Sequence, residues 1–193
     1  MEKVHKFQGL HQKRKIDTIH LVKIAFLSAI AYVIFLIEFP IPYFPPFLEI
    51  DFSDIVAILG GIMLGPLAAV FIEIIKNALR FVLFNSGTGG IGELANIIVG
   101  IAYVLPFCLI FRVNNLKRFI LGSLAGITSM TLFASLANYF ILIPVYTGIN
   151  MHAEKMDMII KLYGPFNIVK GVIITLVGYI AIKAFKQILP KFY

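Results

Sequence analysis

The residues of this chain that could do chemistry are polar side chains set in apolar surroundings. Asn138 interrupts "FASLANYFILIPVY", Asn167 and Lys170 open "GPFNIVKG", and Glu93 and Asn96 stand in "GELANIIVG", which begins at Gly92. Glu73, Lys76, Asn77 and Arg80 follow i, i+3, i+4, i+7 spacing in "IEIIKNALRF", which places all four on one helical face. Amide or ionisable groups inside apolar helices are expensive, so each marks either a function or a buried pairing. Glu73 with Lys76 reads first as an ion pair, Arg80 as a side chain close enough to an interface to snorkel, and Asn138 as either interhelical glue or a ligand contact. Asn167 and Lys170 lie one turn apart at a helix start, and the lysine has no carboxylate within four residues along the chain. That pair favours a ligand.

Catalytic chemistry has no comparable signature. G-x-x-x-x-G-K-[ST], H-E-x-x-H and G-x-S-x-G are all absent, so no catalytic residue is assigned and the chain is not expected to be an enzyme. His5, His11, His20 and His152 lie outside the apolar interiors, so neither a metal site nor a cofactor is expected. Gly87, Gly89, Gly90 and Gly92 could cradle a phosphate, yet a glycine-rich run alone reads more simply as a flexible loop. Cys108 is the single cysteine and cannot form an intrachain disulfide.

The elements that position these groups are membrane helices. Of 193 residues 60% are hydrophobic and 14% charged, with a mean hydropathy of +0.93. The net charge of +7 sits mostly beside apolar runs, so it reports topology and lipid contact and not nucleic acid. Residues 1–19 read as a basic cytoplasmic tail, followed by one six-helix transmembrane domain over 20–188. "SAIAY" faintly resembles a signal cleavage site, but the apolar run continues past it. The expected spans are about 20–38, 54–65, 67–84, 93–111, 119–145 and 166–188. The second is short, which raises a five-span alternative with one helix over 54–84 kinked at Gly65-Pro66. The positive-inside rule decides between them. Six spans place the basic tail, Arg112, Lys117, Arg118, Lys183, Lys186 and Lys191 together on the cytoplasmic side, with both termini, whereas five spans erase the bias.

Between the first two spans lies the strap "FPIPYFPPF", residues 39–47, within an outer loop over 39–53. Prolines lack the backbone donor and bias their predecessors toward extended geometry, so the strap is non-helical and stiff. In the "EIDFSD" that follows, Asp51 or Ser53 is expected to cap the second helix. Counting inward at ~1.5 Å per residue, Asn96 lies ~6 Å past Gly92, Lys170 ~7 Å past Pro165, Arg80 ~7 Å from Asn85 and Asn138 ~12 Å from Tyr146. Four spans thus supply polar groups to one shallow layer, an outward-facing pocket and not a through-pore. Ala25 and Ala29, continued by Ser28, give the first span a small-residue face whose partner, internal or separate, stays open.

From about residue 20 to 185 the chain resembles the riboflavin-specific substrate-binding (S) components of energy-coupling factor (ECF) transporters. The resemblance is carried by "AFLSAIAYV", the strap with "LEIDFSD", "GGIMLGP", "IEIIKNALRF", "GELANIIVG" and "GPFNIVKG", in that order. It implies an all-α membrane subunit of a prokaryotic plasma membrane. Such a subunit binds riboflavin, or FMN or an analogue, from outside and docks on a transmembrane coupling subunit with two cytoplasmic ATPases. The implied ligand contacts are the strap (Phe39, Tyr43, Leu48, Ile50), Gly92, Glu93, Asn96, Asn138, Asn167 and Lys170, and Ala25 and Ala29 match the alanine motif that meets the coupling subunit. A stand-alone permease for a small aromatic metabolite is the alternative, and a membrane scaffold whose polar layer only fixes helix packing is a third reading.

Overall fold

The computed structural model describes residues 18–84, 89–111 and 115–185. The basic tail, Gly87, Arg112, Lys186 and Lys191 lie outside the described residues. Helix α1, Thr18–Phe35, buries Ile24, Ser28, Ala31 and Phe35 along one stripe and leaves the remainder largely uncovered. It stops three residues short of the expected boundary. Leu36–Glu38 lead instead into a two-residue antiparallel ladder, β1 (Phe39–Pro40) with β2 (Glu49–Ile50), in which Phe39 pairs with Ile50 and Pro40 with Glu49. The all-α expectation therefore gains one small correction, since the strap is a hairpin stapled at its base. Tyr43 stands at its far end with φ 73°, a left-handed conformation costly for a side-chain-bearing residue.

Helices α2 (Ser53–Leu64) and α3 (Pro66–Leu83) are separate. Gly65 between them has φ 105°, ψ 160°, which only glycine adopts readily, and Pro66 starts α3 at the position where its missing N–H costs nothing. The chain then doubles back. A Cβ on Gly61 would lie 2.8 Å from that of Ala69, so residues four before and four after the turn touch and α2 lies against α3 as a hairpin. A single kinked helix over 54–84 is thereby excluded. The cap position of α2 is Phe52, whose side chain does not cap; Asp51, one residue earlier, accepts from Ser53 N at 2.8 Å.

Helix α4 (Ile91–Ile110) and α5 (Leu116–Ala137) form the tightest pair. A Cβ on Gly126 would stand 3.0 Å from the Tyr103 carbonyl oxygen, so the small residue sets how closely the backbones approach, which in lipid is the main source of helix association. Tyr103, Phe107 and Phe111 stack along α4 with centroids 6.2 and 5.4 Å apart, and Phe119 meets Phe107 edge-on at 5.7 Å.

The last two helical stretches run further than the sequence suggests, Leu116–Thr147 and His152–Ala184. Each contains a widened π-type turn placed just before a proline. Pro144 and Pro165 have no N–H to give, and the preceding amides reach back five residues instead, Ile143 N to Asn138 O and Gly164 N to Ile159 O. Residues 146–165, expected as a loop, are thus mostly helical: α6 (Ile143–Thr147), α7 (His152–Met158), the turn at Ile159–Tyr163 and α8 (Gly164–Ala184). Four helical stretches are long and apolar enough to cross a membrane. With α3, which carries Glu73, Lys76 and Arg80, and the shorter α2, the described residues make six helical rods.

Candidate ligand-binding site

A cavity of about 670 Å³ lies between the hairpin and helices α3, α4, α5 and α8. That is within the ~300–1,000 Å³ typical of small-molecule sites. Asn138 enters it from the first widened turn, and Asn167 and Lys170 from the first two turns of α8 just beyond the second. Each π-turn displaces the residues around it by part of a turn, and here both displacements lie beside an amide that faces the cavity. Gly92, Glu93 and Asn96 line it from the start of α4, and Leu48 from the hairpin.

Three expected contacts lie elsewhere. Phe39 turns its ring toward Phe52, with centroids 5.7 Å apart, Tyr43 is fully exposed at the hairpin tip, and Ile50 is buried within the ladder; none lines the cavity. Phe39 and Ile50 pair with each other at the foot of the hairpin and Tyr43 is carried to its far end, which leaves residues 47–49 at the cavity. The strap side of the lining comes instead from Phe47, Leu48 and Glu49, while Phe44 packs edge-on against Phe166 of α8 at 5.4 Å.

The polar groups divide into two sets. On α3, Lys76 sits in a closed ionic cluster. Its ammonium lies 2.5 Å from Asp54 and 2.8 Å from Glu73, and it donates to Ser53 Oγ at 2.6 Å. None of these side chains lines the cavity. The i, i+3 pair expected between Glu73 and Lys76 is present, joined by an Asp54 not assigned to it from the sequence. One turn further, Arg80 does not snorkel; it is buried, grips both oxygens of Glu38, donates to the Phe35 carbonyl at 3.2 Å and lies 4.1 Å over the Phe35 ring. It clamps the end of α1 to α3 at the cavity wall.

The second set faces the cavity. Lys170 Nζ is 3.5 Å from Asn96 Oδ1 and 3.7 Å from Asp51 Oδ2. The lysine without a carboxylate near it in sequence therefore has one in space. Asn138 and Asn167 each give Nδ2 to the carbonyl one turn back, of Ala134 and Tyr163, both at 2.8 Å. Asn138 Oδ1 is buried with no protein partner among the described residues. A buried acceptor left over in this way is costly unless something donates to it. At the hairpin side, burial and then the neighbouring Glu38 carboxylate push the Glu49 carboxyl above its ordinary value.

Sequence reasoning missed Glu38, Phe47, Glu49 and Asp51. Phe47 belongs to the strap and the acids of "EIDFSD" read as helix-start chemistry, while Glu38 has no spacing that singles it out. Ser28 corrects a further point. It is fully buried and bonded to Ile24 O at 2.8 Å, whereas Ala25 and Ala29 are exposed, so it does not continue their face.

A six-rod bundle with a hairpin laid over a polar-lined cavity is the arrangement of a membrane subunit that holds a small molecule. Residues 20–182 match the family described as ECF transporter, substrate-specific component, and the chain belongs to it. It is 38% identical over 164 residues to the riboflavin transporter FmnP of Bacillus subtilis (strain 168), covering 81% of this chain and 86% of that one. To the riboflavin transporter RibU of Staphylococcus aureus (strain TCH60) it is 35% identical over 162 residues, covering 81% and 85%. Among solved structures, the S component of a bacterial ECF transporter superposes with a TM-score of 0.76 at 33% identity, covering 89% of this chain and 97% of that one.

Proposed function

We propose that this chain is the riboflavin-binding subunit of an ATP-driven ECF importer in a prokaryotic plasma membrane. The observation that carries the reading is the convergence of Asn96, Asn138, Asn167 and Lys170, from three helical stretches, on one cavity of flavin size. An isoalloxazine is apolar at its dimethylbenzene end and presents carbonyls, ring nitrogens and one N–H at the other. Lys170 offers donors and Asn138 Oδ1 an uncommitted acceptor, which suits that edge in a water-poor site. Phe47, Leu48 and Phe166 offer apolar cover for the ring. The stapled hairpin closes over the ligand with little loss of chain entropy. The names of the FmnP and RibU relatives agree.

In this reading six spans place both termini in the cytoplasm and the cavity outside, and the subunit tips in the membrane as it delivers the vitamin. A transmembrane coupling subunit and two ATPases drive transport, and Ala25 and Ala29, exposed on α1, meet the coupling subunit. Purified protein is expected to quench flavin fluorescence near one-to-one. Unchanged emission sinks the proposal. Ala25→Trp or Ala29→Trp is expected to retain binding and lose uptake, and normal uptake by both variants removes the docking assignment. Vesicles containing this chain alone should not accumulate flavin; accumulation would favour the stand-alone permease.

A further inference from the structure

We infer that Asp51, which does not line the cavity, is a positioning residue that holds Lys170 aimed at the ligand, and so ties ligand contact to the foot of the hairpin. The inference rests on reading the cavity as the flavin site. Four observations carry it.

First, Asp51 and Lys170 are both buried, at 3% and 4% exposure, so their attraction is weakly screened by water. Second, the two oxygens of Asp51 have different tasks. Oδ1 accepts from Ser53 N and from Ser53 Oγ, fixing the start of α2, while Oδ2 faces Lys170 Nζ at 3.7 Å. Third, that distance is longer than a full hydrogen bond, as is the 3.5 Å to Asn96 Oδ1, so the ammonium is oriented by its neighbours without being used up by them. Fourth, Asp51 directly follows Ile50, the residue that closes the ladder opposite Phe39. A ligand that draws on Lys170 therefore acts on the residue at which the hairpin joins α2.

The groups around Lys170 are few. Asp51 approaches from the hairpin foot, Asn96 from α4, and Asp54 on α2 is the other carboxylate in electrostatic range. Asp54 is committed to Lys76, which leaves Asp51 as the main counter-charge.

Asp51→Asn separates the two tasks of this side chain, since an amide oxygen still accepts from Ser53 N while the charge facing Lys170 is lost. In fluorescence titrations with riboflavin, the variant is expected to bind about tenfold more weakly at pH 7, the loss of one charge-assisted contact. In a Lys170→Met background, adding Asp51→Asn should change affinity by less than about twofold, since a residue acting through Lys170 has nothing left to act on. The double variant removes both ions together, which buried sites tolerate better than removing one, so this comparison stands even if Asp51→Asn alone does not fold. The inference is overturned by equal losses in the two backgrounds or by an unweakened Asp51→Asn. Failure of wild type itself to bind flavin would instead sink the functional reading.

Discussion

Among the lysines buried in the described residues, Lys76 and Lys170 do opposite things. Lys76 on α3 is closely surrounded by counter-charge. Two carboxylates and a hydroxyl surround its three protons at hydrogen-bond distance, and no part of it lines the cavity. Lys170 on α8 is under-coordinated, with both protein partners at 3.5 Å or beyond and its ammonium at the cavity wall. Burial is nearly the same, 1% and 4% exposed, so depth does not distinguish a structural ion from a binding one. Coordination does. An ammonium has three protons to place, and a site exists where the protein leaves some of them for a ligand.

The sharpest way to break this comparison is Lys76→Met. It leaves Asp54 and Glu73 facing each other without a cation, and breaking a buried pair from one side costs about 3–5 kcal/mol. The expected outcome is a large drop in the thermal midpoint and in the yield of monodisperse protein in detergent. Near-normal melting would show that Lys76 is not the keystone of the α2–α3 hairpin. Lys170→Met is expected to reverse the pattern. Riboflavin affinity falls by about ten- to a hundredfold, the range of one or two hydrogen bonds to a charged donor, while the melting midpoint falls less than in Lys76→Met because Asp51 stands 3.7 Å from the lysine and keeps its bonds to Ser53. A variant that melts far lower yet binds normally would make Lys170 a second Lys76.

How much of this contrast was legible in the sequence follows from how each partner is placed. Glu73 and Lys76 share a helix face, so their pairing could be read from spacing alone. Asp54 and Asp51 are brought to Lys76 and Lys170 by the Gly65 turn and the strap ladder, contacts across 22 and 119 positions that periodicity does not encode. The polar layer of Asn96, Asn138, Asn167 and Lys170 was legible because an amide or an ammonium in an apolar run is conspicuous. The prolines at 144 and 165 were equally visible, but their effect, a widened turn and not a break, depends on a backbone that finds substitute donors within the bundle. The strap was recognisable as stiff and non-helical; which of its aromatics face the cavity depended on a two-residue pairing with no sequence signature. Phe39 and Ile50 are held in that pairing and Tyr43 stands at the hairpin tip, so none of the three lines the cavity.

A smaller effect tests the closed side of the comparison without touching a charge. At Gly100 on α4 an added Cβ would stand 2.3 Å from Glu73 Oε2 and 2.7 Å from its Cδ, so Gly100→Ala must push the carboxylate off Lys76. Overpacking of this kind typically costs about 1–3 kcal/mol. The neighbouring Val99 lines the cavity, so lowered stability with riboflavin affinity held within about threefold is the expected split. Equal loss of both would mean that the ionic cluster and the site move as a unit.

The smallest expected effect lies at the rim, where a third kind of charge sits. Glu49 is exposed, close to Glu38, and its carboxyl titrates above its ordinary value because partial burial and then the like charge disfavour ionisation. The folded protein therefore holds this proton more tightly than the unfolded chain does. Glu49 is neutral in both states at low pH, and its repulsion is imposed on the fold as pH rises through its ordinary value and then its raised one. Glu49→Gln is accordingly expected to raise the melting midpoint slightly at neutral pH, with the gain vanishing below pH ~4 where the wild-type carboxyl is already protonated. Differential scanning fluorimetry at the two pH values checks this. A gain that persists in acid would point to a packing effect of the amide, and a loss at neutral pH would mean that the carboxylate makes a favourable contact that outweighs its repulsion from Glu38. Either result would extend the rule drawn from the two lysines, because it would assign this rim charge by what surrounds it and not by how deeply it is buried.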